Sequence, residues 1–413
     1  MNPESSVWRF NTFYGIILVY YCILMKLRSH QLDSLVAMQQ HDKGQIIVPT
    51  GGGKTMCMIE DAKYRFKNDD VKTIVVVAPR ILLANQLSSE FLEMIDDVNV
   101  LHVHSGETHH DSTTKTHEIE EWHWKNKGNQ LIFTTYHSLH KIQSAYSVIV
   151  DTVYFDEAHN SIQKNFIEPV EYYSMYAIRS YFFTATPKHS NTPMKVGMND
   201  SDIFGGVICN VPAPKLVDEG HILPPKVVIK DINVVDDSRF KYEKDCDHII
   251  DTIDDINVDK ILICARSTKQ IVNLISLSDF AYELAQREYN WLYITAKTGA
   301  VINGKKVNRE EFFNTLNAWG KGNERFVVLH HSILSEGINV SGLEAALFLR
   351  SMDFVGISQT IGRVIRKGNE SKTYGLVVVP CYDKVGISTS RKVESVVDTV
   401  FNQGQPAISV VNK

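Results

Sequence analysis

From Gln45 onward this sequence repeats one local pattern: a short, unbroken run of β-branched and aromatic residues, a turn, then a helix-favouring stretch. The first runs are Gln45-Ile46-Ile47-Val48, Thr73 to Val77, Gln130 to Phe133, Val153 to Phe155 and Tyr181 to Phe183. Unbroken rather than alternating runs suit strands buried on both faces of a parallel sheet. The stretch from Ile81 to Ile95 reads as one of the intervening helices. Strands alternating with helices predict an α/β fold with a mainly parallel sheet flanked by helices. A second series follows: Lys260 to Cys264, Trp291 to Ile294, Arg325 to Leu329, Ala345 to Leu349 and Tyr374 to Val379. Between the two series, Pro212, Pro214, Gly220, Pro224 and Pro225 interrupt regular structure, which places a domain boundary there. A chain of 413 residues has room for two such domains, each large enough to bury a core.

Composition excludes several classes. With 44% hydrophobic and 22% charged residues, the chain is neither disordered, fibrous nor a polytopic membrane protein. Its formal net charge of −5 provides no global basic field, so a nucleic-acid partner would have to be held by a local groove. Six cysteines (Cys22, Cys57, Cys209, Cys246, Cys264, Cys381) are scattered without a CxxC pair. That pattern fits an intracellular, reducing compartment, cytoplasmic or nuclear, and neither a disulfide framework nor a zinc site. The apolar run Phe13 to Met25 is too short to span a bilayer as a helix, and Lys26 and Arg28 follow it in place of a small-residue cleavage site. Three readings of residues 1–24 stand side by side: an extension outside the working module, an extra packed helix, and a membrane anchor.

Two stretches carry chemistry. In Ile46-Ile47-Val48-Pro49-Thr50-Gly51-Gly52-Gly53-Lys54-Thr55 a strand runs into a glycine turn and then a helix. Glycines let backbone N–H groups close round a phosphate, and a helix N-terminus favours negative charge there. Lys54 would reach the β- and γ-phosphates, and Thr55 would offer its hydroxyl to Mg²⁺. The strict form of this loop has glycine where Val48 stands. In Val153-Tyr154-Phe155-Asp156-Glu157-Ala158-His159 two acids end a buried strand, where open α/β sheets bind ligands. Asp156 suits a contact to Mg²⁺, and Glu157 suits a general base for an attacking water. An acidic pair after a strand is by itself often a solvated turn; the phosphate loop about a hundred residues upstream tips the balance.

Taken together, Pro49 to Thr55 and Asp156 to His159 resemble the superfamily 2 helicases of DEAH/DEAD type. They resemble in particular the branch holding the type III restriction motor (Res subunit) and XPB-like translocases. The resemblance runs from Met25 through nearly the whole chain, with its motifs in the family's order. It implies two tandem RecA-like domains: a helicase ATP-binding domain over 25–211, a linker over 212–225 and a helicase C-terminal domain over 226–413. It assigns Gln31, within Leu27-Arg28-Ser29-His30-Gln31, to adenine recognition. Pro79 and Arg80, Thr134 and Thr135, and Ser267 and Thr268 take places where the family touches the nucleic-acid backbone. His159, Thr184 and Thr186 take places that couple the nucleotide to the polymer. Gly337 and Asn339 take places near the nucleotide, although the family often has aspartate where Asn339 stands and threonine where His331 stands. Gln359-Thr360-Ile361-Gly362-Arg363-Val364-Ile365-Arg366 matches the family's QxxGRxxR. Helical spacing would put Gln359, Arg363 and Arg366 on neighbouring positions, with Arg366 as arginine finger and Arg363 beside it.

The resemblance implies ATP and Mg²⁺ as cofactors, bound where the two lobes meet, and nucleic acid as partner, DNA favoured over RNA. A protein partner for targeting fits a chain with little room for an accessory domain, and a membrane partner is not favoured. The function implied is an ATP-dependent helicase or translocase; the alternative is a DNA-binding ATPase subunit of a larger machine that does not itself unwind. A small-molecule kinase is disfavoured by the second lobe and its arginine motif. The histidine-dense stretch His102, His104, His109, His110, His117 and His123 matches no zinc spacing and reads as a polar loop and helix. Trp122 and Trp124 read as packing residues on the same lobe.

Overall fold

The computed structural model describes residues 27–67, 72–231, 239–295, 297–331, 340, 342–368, 372–381 and 384–411. The readings of residues 1–24, and those of Gly337 and Asn339, lie outside these residues. The chain divides into two compact units. The first comprises the chain up to Val48, Gly53–Thr184 and Pro193–Val211; the second comprises Pro49–Gly52, Ala185–Thr192 and the chain from Pro212 onward.

Among the described residues the first unit holds eight strands: β1 (Lys43–Ile47), β2 (Thr73–Ala78), β3 (Asn99–Val103), β4 (Asp111–Ser112), β5 (Gln130–Thr135), β6 (Thr152–Phe155), β7 (Arg179–Thr184) and β8 (Val207–Asn210). They form one sheet in the order β4-β3-β5-β2-β6-β7-β1-β8. Every pairing in it is parallel. Ile74 to Val77, Ile132, Phe133, Tyr154, Phe155, Phe182 and Phe183 are fully buried, as unbroken apolar runs in a parallel sheet require. Since β1, β7, β6, β2 and β5 are consecutive neighbours, the chain segments leaving their C-terminal ends share one edge.

The helix Lys54–Lys67 packs against the helix Ser29–Gln40, and a buried polar network ties both to the sheet. Asp61 accepts from Arg65 at 2.9 and 3.2 Å and from the Tyr154 hydroxyl at 2.7 Å. Arg65 donates onward to Tyr181 Oη at 3.1 Å and to the Met38 carbonyl at 3.3 Å. Four elements are thus locked in register: the helix after the glycine loop, the helix bearing Gln31, and the strands β6 and β7. Removing one partner of a buried ion pair leaves the other charge uncompensated. Asp61→Asn is therefore expected to destabilise the protein by about 3–5 kcal/mol, read as a lowered denaturant midpoint at unchanged slope.

Among the described residues the second unit builds an eight-stranded sheet from β9 (Pro225–Asp231), β10 (Lys260–Cys264), β11 (Asn290–Thr295), β12 (Gly299–Ile302), β13 (Lys305–Val307), β14 (Phe326–His330), β15 (Ala345–Phe348) and β16 (Gly375–Cys381). Their order is β9-β16-β15-β10-β14-β11-β12-β13, parallel up to β11. The last two strands form an antiparallel hairpin. Its turn, Asn303-Gly304, has φ of 45° and 84° at its two central residues, a geometry that Asn-Gly favours. Pro212 to Pro225 is not wholly irregular: Ala213–Asp218 is a short helix begun by prolines.

Two residues of the histidine stretch correct the reading of a polar loop and helix. His102 lies on β3 and is fully buried, and His104 is nearly so. The Gly106 amide donates to His104 Nδ1 at 3.3 Å, which leaves the proton on Nε2 to donate to His102 Nδ1 at 3.0 Å. His102 Nε2 then donates to the Ser88 hydroxyl at 3.1 Å. Burial, helped by the His104 and His110 rings, pulls His102 down to about 3, so it stays neutral. His102 and His104 form a satisfied core network, whereas His109 and His110 lie exposed in a loop and His117 and His123 on the helix Thr116–Lys125, and among the described residues of the stretch no three ligand atoms cluster for a metal. Trp122 packs in the core and donates Nε1 to Asp111 at 3.2 Å, whereas Trp124 is 59% exposed.

Candidate nucleotide site

The site in the first unit lies at the C-terminal edge of the sheet, after β1 and β6. Lys54 begins a 14-residue helix, so its N-terminal amides and the positive end of the helix dipole face that edge. Gly51 and Gly53 both have φ of +85°, a region that penalises any side chain. Gly53 also lies so close to Gln31 that a Cβ there would meet Gln31 Nε2 at 2.5 Å.

Gln31 is 5% exposed, and its amide is engaged at both ends. Its Oε1 accepts from the Arg28 amide at 2.9 Å, and its Nε2 donates to the Gly53 carbonyl at 3.4 Å. The residue assigned from sequence to adenine recognition is thus also a strut on the loop.

Asp156 and Glu157 follow β6. Glu157 takes a left-handed backbone conformation, with φ of 47°, uncommon for a non-glycine residue and a form of strain that gathers at functional sites. Its carboxylate stands 3.6 Å from Lys54 Nζ and 3.5 Å from His159 Nδ1. Burial, followed by the charge of Glu157, pushes the Asp156 carboxyl up to about 7, with Lys54 opposing. Asp156 and the Thr55 hydroxyl are hard oxygen donors, and a buried acid pair is a setting that a divalent cation would relieve; the residues fit Mg²⁺.

His159 reaches the end of the neighbouring strand. The Asn160 amide at 3.2 Å can donate to Nε2, leaving Nδ1 to donate to the Thr184 hydroxyl at 3.1 Å. The acidic segment and the end of β7 are therefore joined through one imidazole. Thr186, in the second unit, is fully buried.

Of the residues read as polymer contacts, Arg80 is the N-cap residue of the helix Ile81–Leu92 and, with Pro79, follows β2. Thr134 is a correction. It is fully buried and its hydroxyl donates to the Val103 carbonyl at 2.8 Å, so it joins β5 to β3 and has no surface for a polymer. Thr135 is 4% exposed. Next to it stands a residue that sequence reasoning missed. Tyr136 is buried and donates to the Asp156 carbonyl at 2.9 Å, linking the end of β5 to the acid pair. Nothing in the local pattern around Tyr136 signals this, because its partner is 20 residues away.

In the second unit Ser267 accepts from the Gln270 amide at 3.1 Å and so caps the helix that Thr268 begins. Asp245 accepts from Arg266 at 3.3 Å and from Gln270 at 2.7 Å, which anchors that loop. Gln359 and Arg363 lie on the helix Phe354–Val364 and are buried. Arg366 corrects the sequence reading: the helix ends at Val364, and Arg366 sits two residues beyond it.

The family model for the type III restriction enzyme, res subunit, matches residues 24–189, which contain the glycine loop and the acid pair. That segment is similar to the res subunit of type III restriction enzymes. The endonuclease subunit of the type I restriction enzyme SsaAORF53P of Staphylococcus saprophyticus is 24% identical over 293 residues, 68% of this chain and 29% of that protein. Among solved structures, the ATP-dependent Type ISP restriction-modification enzyme LlaBIII bound to DNA has a TM-score of 0.69 at 17% identity. It is matched over 94% of this chain and 31% of its own. Mss116p bound to ssRNA and AMP-PNP has a TM-score of 0.58 at 15% identity, over 96% of this chain and 80% of its own. These likenesses show the fold: tandem RecA-like domains. The chain spans about three tenths of the restriction proteins it matches first. Among the described residues no helix is long and apolar enough to cross a membrane.

Proposed function

We propose that this chain is an ATP-dependent motor on nucleic acid, a helicase or translocase, with DNA favoured over RNA as its track. The observation that carries the reading is the acid pair brought to the first turn of the phosphate-loop helix, with Lys54 3.6 Å from Glu157. ATP would place its phosphates on the amides of Gly51 to Thr55, and a phosphate oxygen would take over the Lys54 ammonium. Glu157, relieved of that partner, then accepts a proton from the attacking water. Thr55 and Asp156 would hold Mg²⁺, which when bound offsets phosphate charge. Gln359, Arg363 and Arg366 are the second unit's proposed contributions to turnover, which would then depend on a conformational step.

His159 and Thr184 are the proposed link between this chemistry and the polymer, which Pro79, Arg80, Thr135, Ser267 and Thr268 would hold by its backbone and without sequence readout. Gln31 reads adenine from the position it shares with Gly53. Gly337 and Asn339 are proposed to complete the nucleotide contacts.

A second reading keeps the nucleotide site and drops the unwinding. This chain would then be the DNA-binding ATPase subunit of a larger restriction, repair or remodelling machine. Steady-state ATPase rates without polymer, with single-stranded DNA, duplex DNA and single-stranded RNA test the motor reading. Stimulation by one polymer names the track; a rate indifferent to all of them removes the motor reading. Strand displacement on a forked duplex then separates unwinding from translocation alone.

A further inference from the structure

Because Arg366 lies beyond the helix, something other than helical geometry must fix its backbone. Three groups of the second unit do so. The Leu223 amide donates to the Ile365 carbonyl at 2.7 Å. Gly375 approaches the helix end so closely that a Cβ there would meet the Val364 carbonyl oxygen at 2.6 Å. The Lys372 ammonium donates to the Arg366 carbonyl at 2.7 Å and to the Leu343 carbonyl, also at 2.7 Å. Both are charge-assisted bonds, and the one to Arg366 lies just past a helix C-terminus, where a cation is favoured by both the orphan carbonyls and the dipole.

We infer that Lys372 is a positioning residue for Arg366: it clamps the Arg366 backbone to the loop preceding β15 and so aims the guanidinium. The inference rests on the reading that Arg366 acts on the nucleotide. An ammonium in this place is costly. Burial pulls it down to about 8, opposed by Glu344 and assisted by Arg366 and Lys260. A surface lysine at this position would bear no such cost, and a merely structural contact would not need to end on the one arginine that the helix fails to hold.

The second unit contains a natural comparison. Lys260, buried where Lys372 is half-buried, also donates to two carbonyls, Gly320 at 2.8 Å and Gly322 at 2.7 Å, at the end of a different helix. The test uses the full chain with its stimulating polymer and compares Lys372→Met, Lys260→Met, Arg366→Ala and the double variant Arg366→Ala with Lys372→Met. Lys372→Met is expected to lower kcat at least about 10-fold with KM for ATP within about 3-fold, as loss of an interaction made only in the transition state requires. Lys260→Met is expected to lower the melting temperature comparably while kcat stays within about 3-fold. In the Arg366→Ala background, Lys372→Met should change kcat by less than about 2-fold, the non-additivity of two residues acting as one.

Lys372→Arg, which keeps the charge and the donors, should recover part of the lost kcat. Equal kcat losses in the two lysine variants, or additive losses in the double variant, would overturn the inference. Wild-type turnover in Arg366→Ala would instead remove the arginine reading on which it rests. Should Lys372→Met not fold, Lys372→Gln is read by the same criteria.

Discussion

Glu157→Gln is expected to bind ATP with near-unchanged affinity and to lose turnover by about 10²–10⁴-fold, the contribution of a positioned general base. The substitution is nearly isosteric, so the Glu157 position, with its left-handed φ of 47°, is kept while the proton acceptor is lost. It also removes the charge that faces Lys54 at 3.6 Å, and with it a competitor for the phosphate. Affinity should therefore hold or rise while kcat falls. Fluorescent-nucleotide titration and steady-state phosphate release measure the two separately. Full turnover in this variant would take the general-base role away from Glu157 and leave water activation to another group.

Arg366→Ala is expected to lose turnover by about 10³-fold or more, the scale of an arginine finger, with ATP affinity changed only a few-fold. An arginine acting on developing phosphoryl charge contributes in the transition state and little in the ground state. The kinetic signature is thus a fall in kcat at a nearly constant KM. A loss seen mainly in nucleic-acid affinity, with turnover at saturating polymer preserved, would move Arg366 from the nucleotide to the track. Arg363 is a less informative target. It is buried on the helix Phe354–Val364, so truncating it mixes a stability cost with any catalytic one.

Much of this architecture is readable along the chain. A parallel strand needs only a few consecutive apolar residues, and β2, β5, β6, β10 and β14 announce themselves in that way. The glycine loop and the acid pair are likewise contiguous, so their chemistry can be read before any fold is known. β3 escapes this reading because His102 and His104 look polar in sequence. They are core residues because each ring nitrogen finds a partner, one of them Ser88, which lies 14 residues upstream of His102.

The α/β class, the phosphate loop with Lys54 and Thr55, and the acids Asp156 and Glu157 are legible before any fold is known. All of these are properties of residues adjacent in the chain. Tertiary structure alone decided that Gln31 braces Gly53, that Tyr136 holds the Asp156 carbonyl, that Thr134 is spent on Val103, and that Arg366 leaves its helix for the clamp of Lys372. The reason is physical. Periodicity reports which face of an element avoids water, whereas a hydrogen bond to a residue beyond the same element is set by packing geometry that no local pattern encodes.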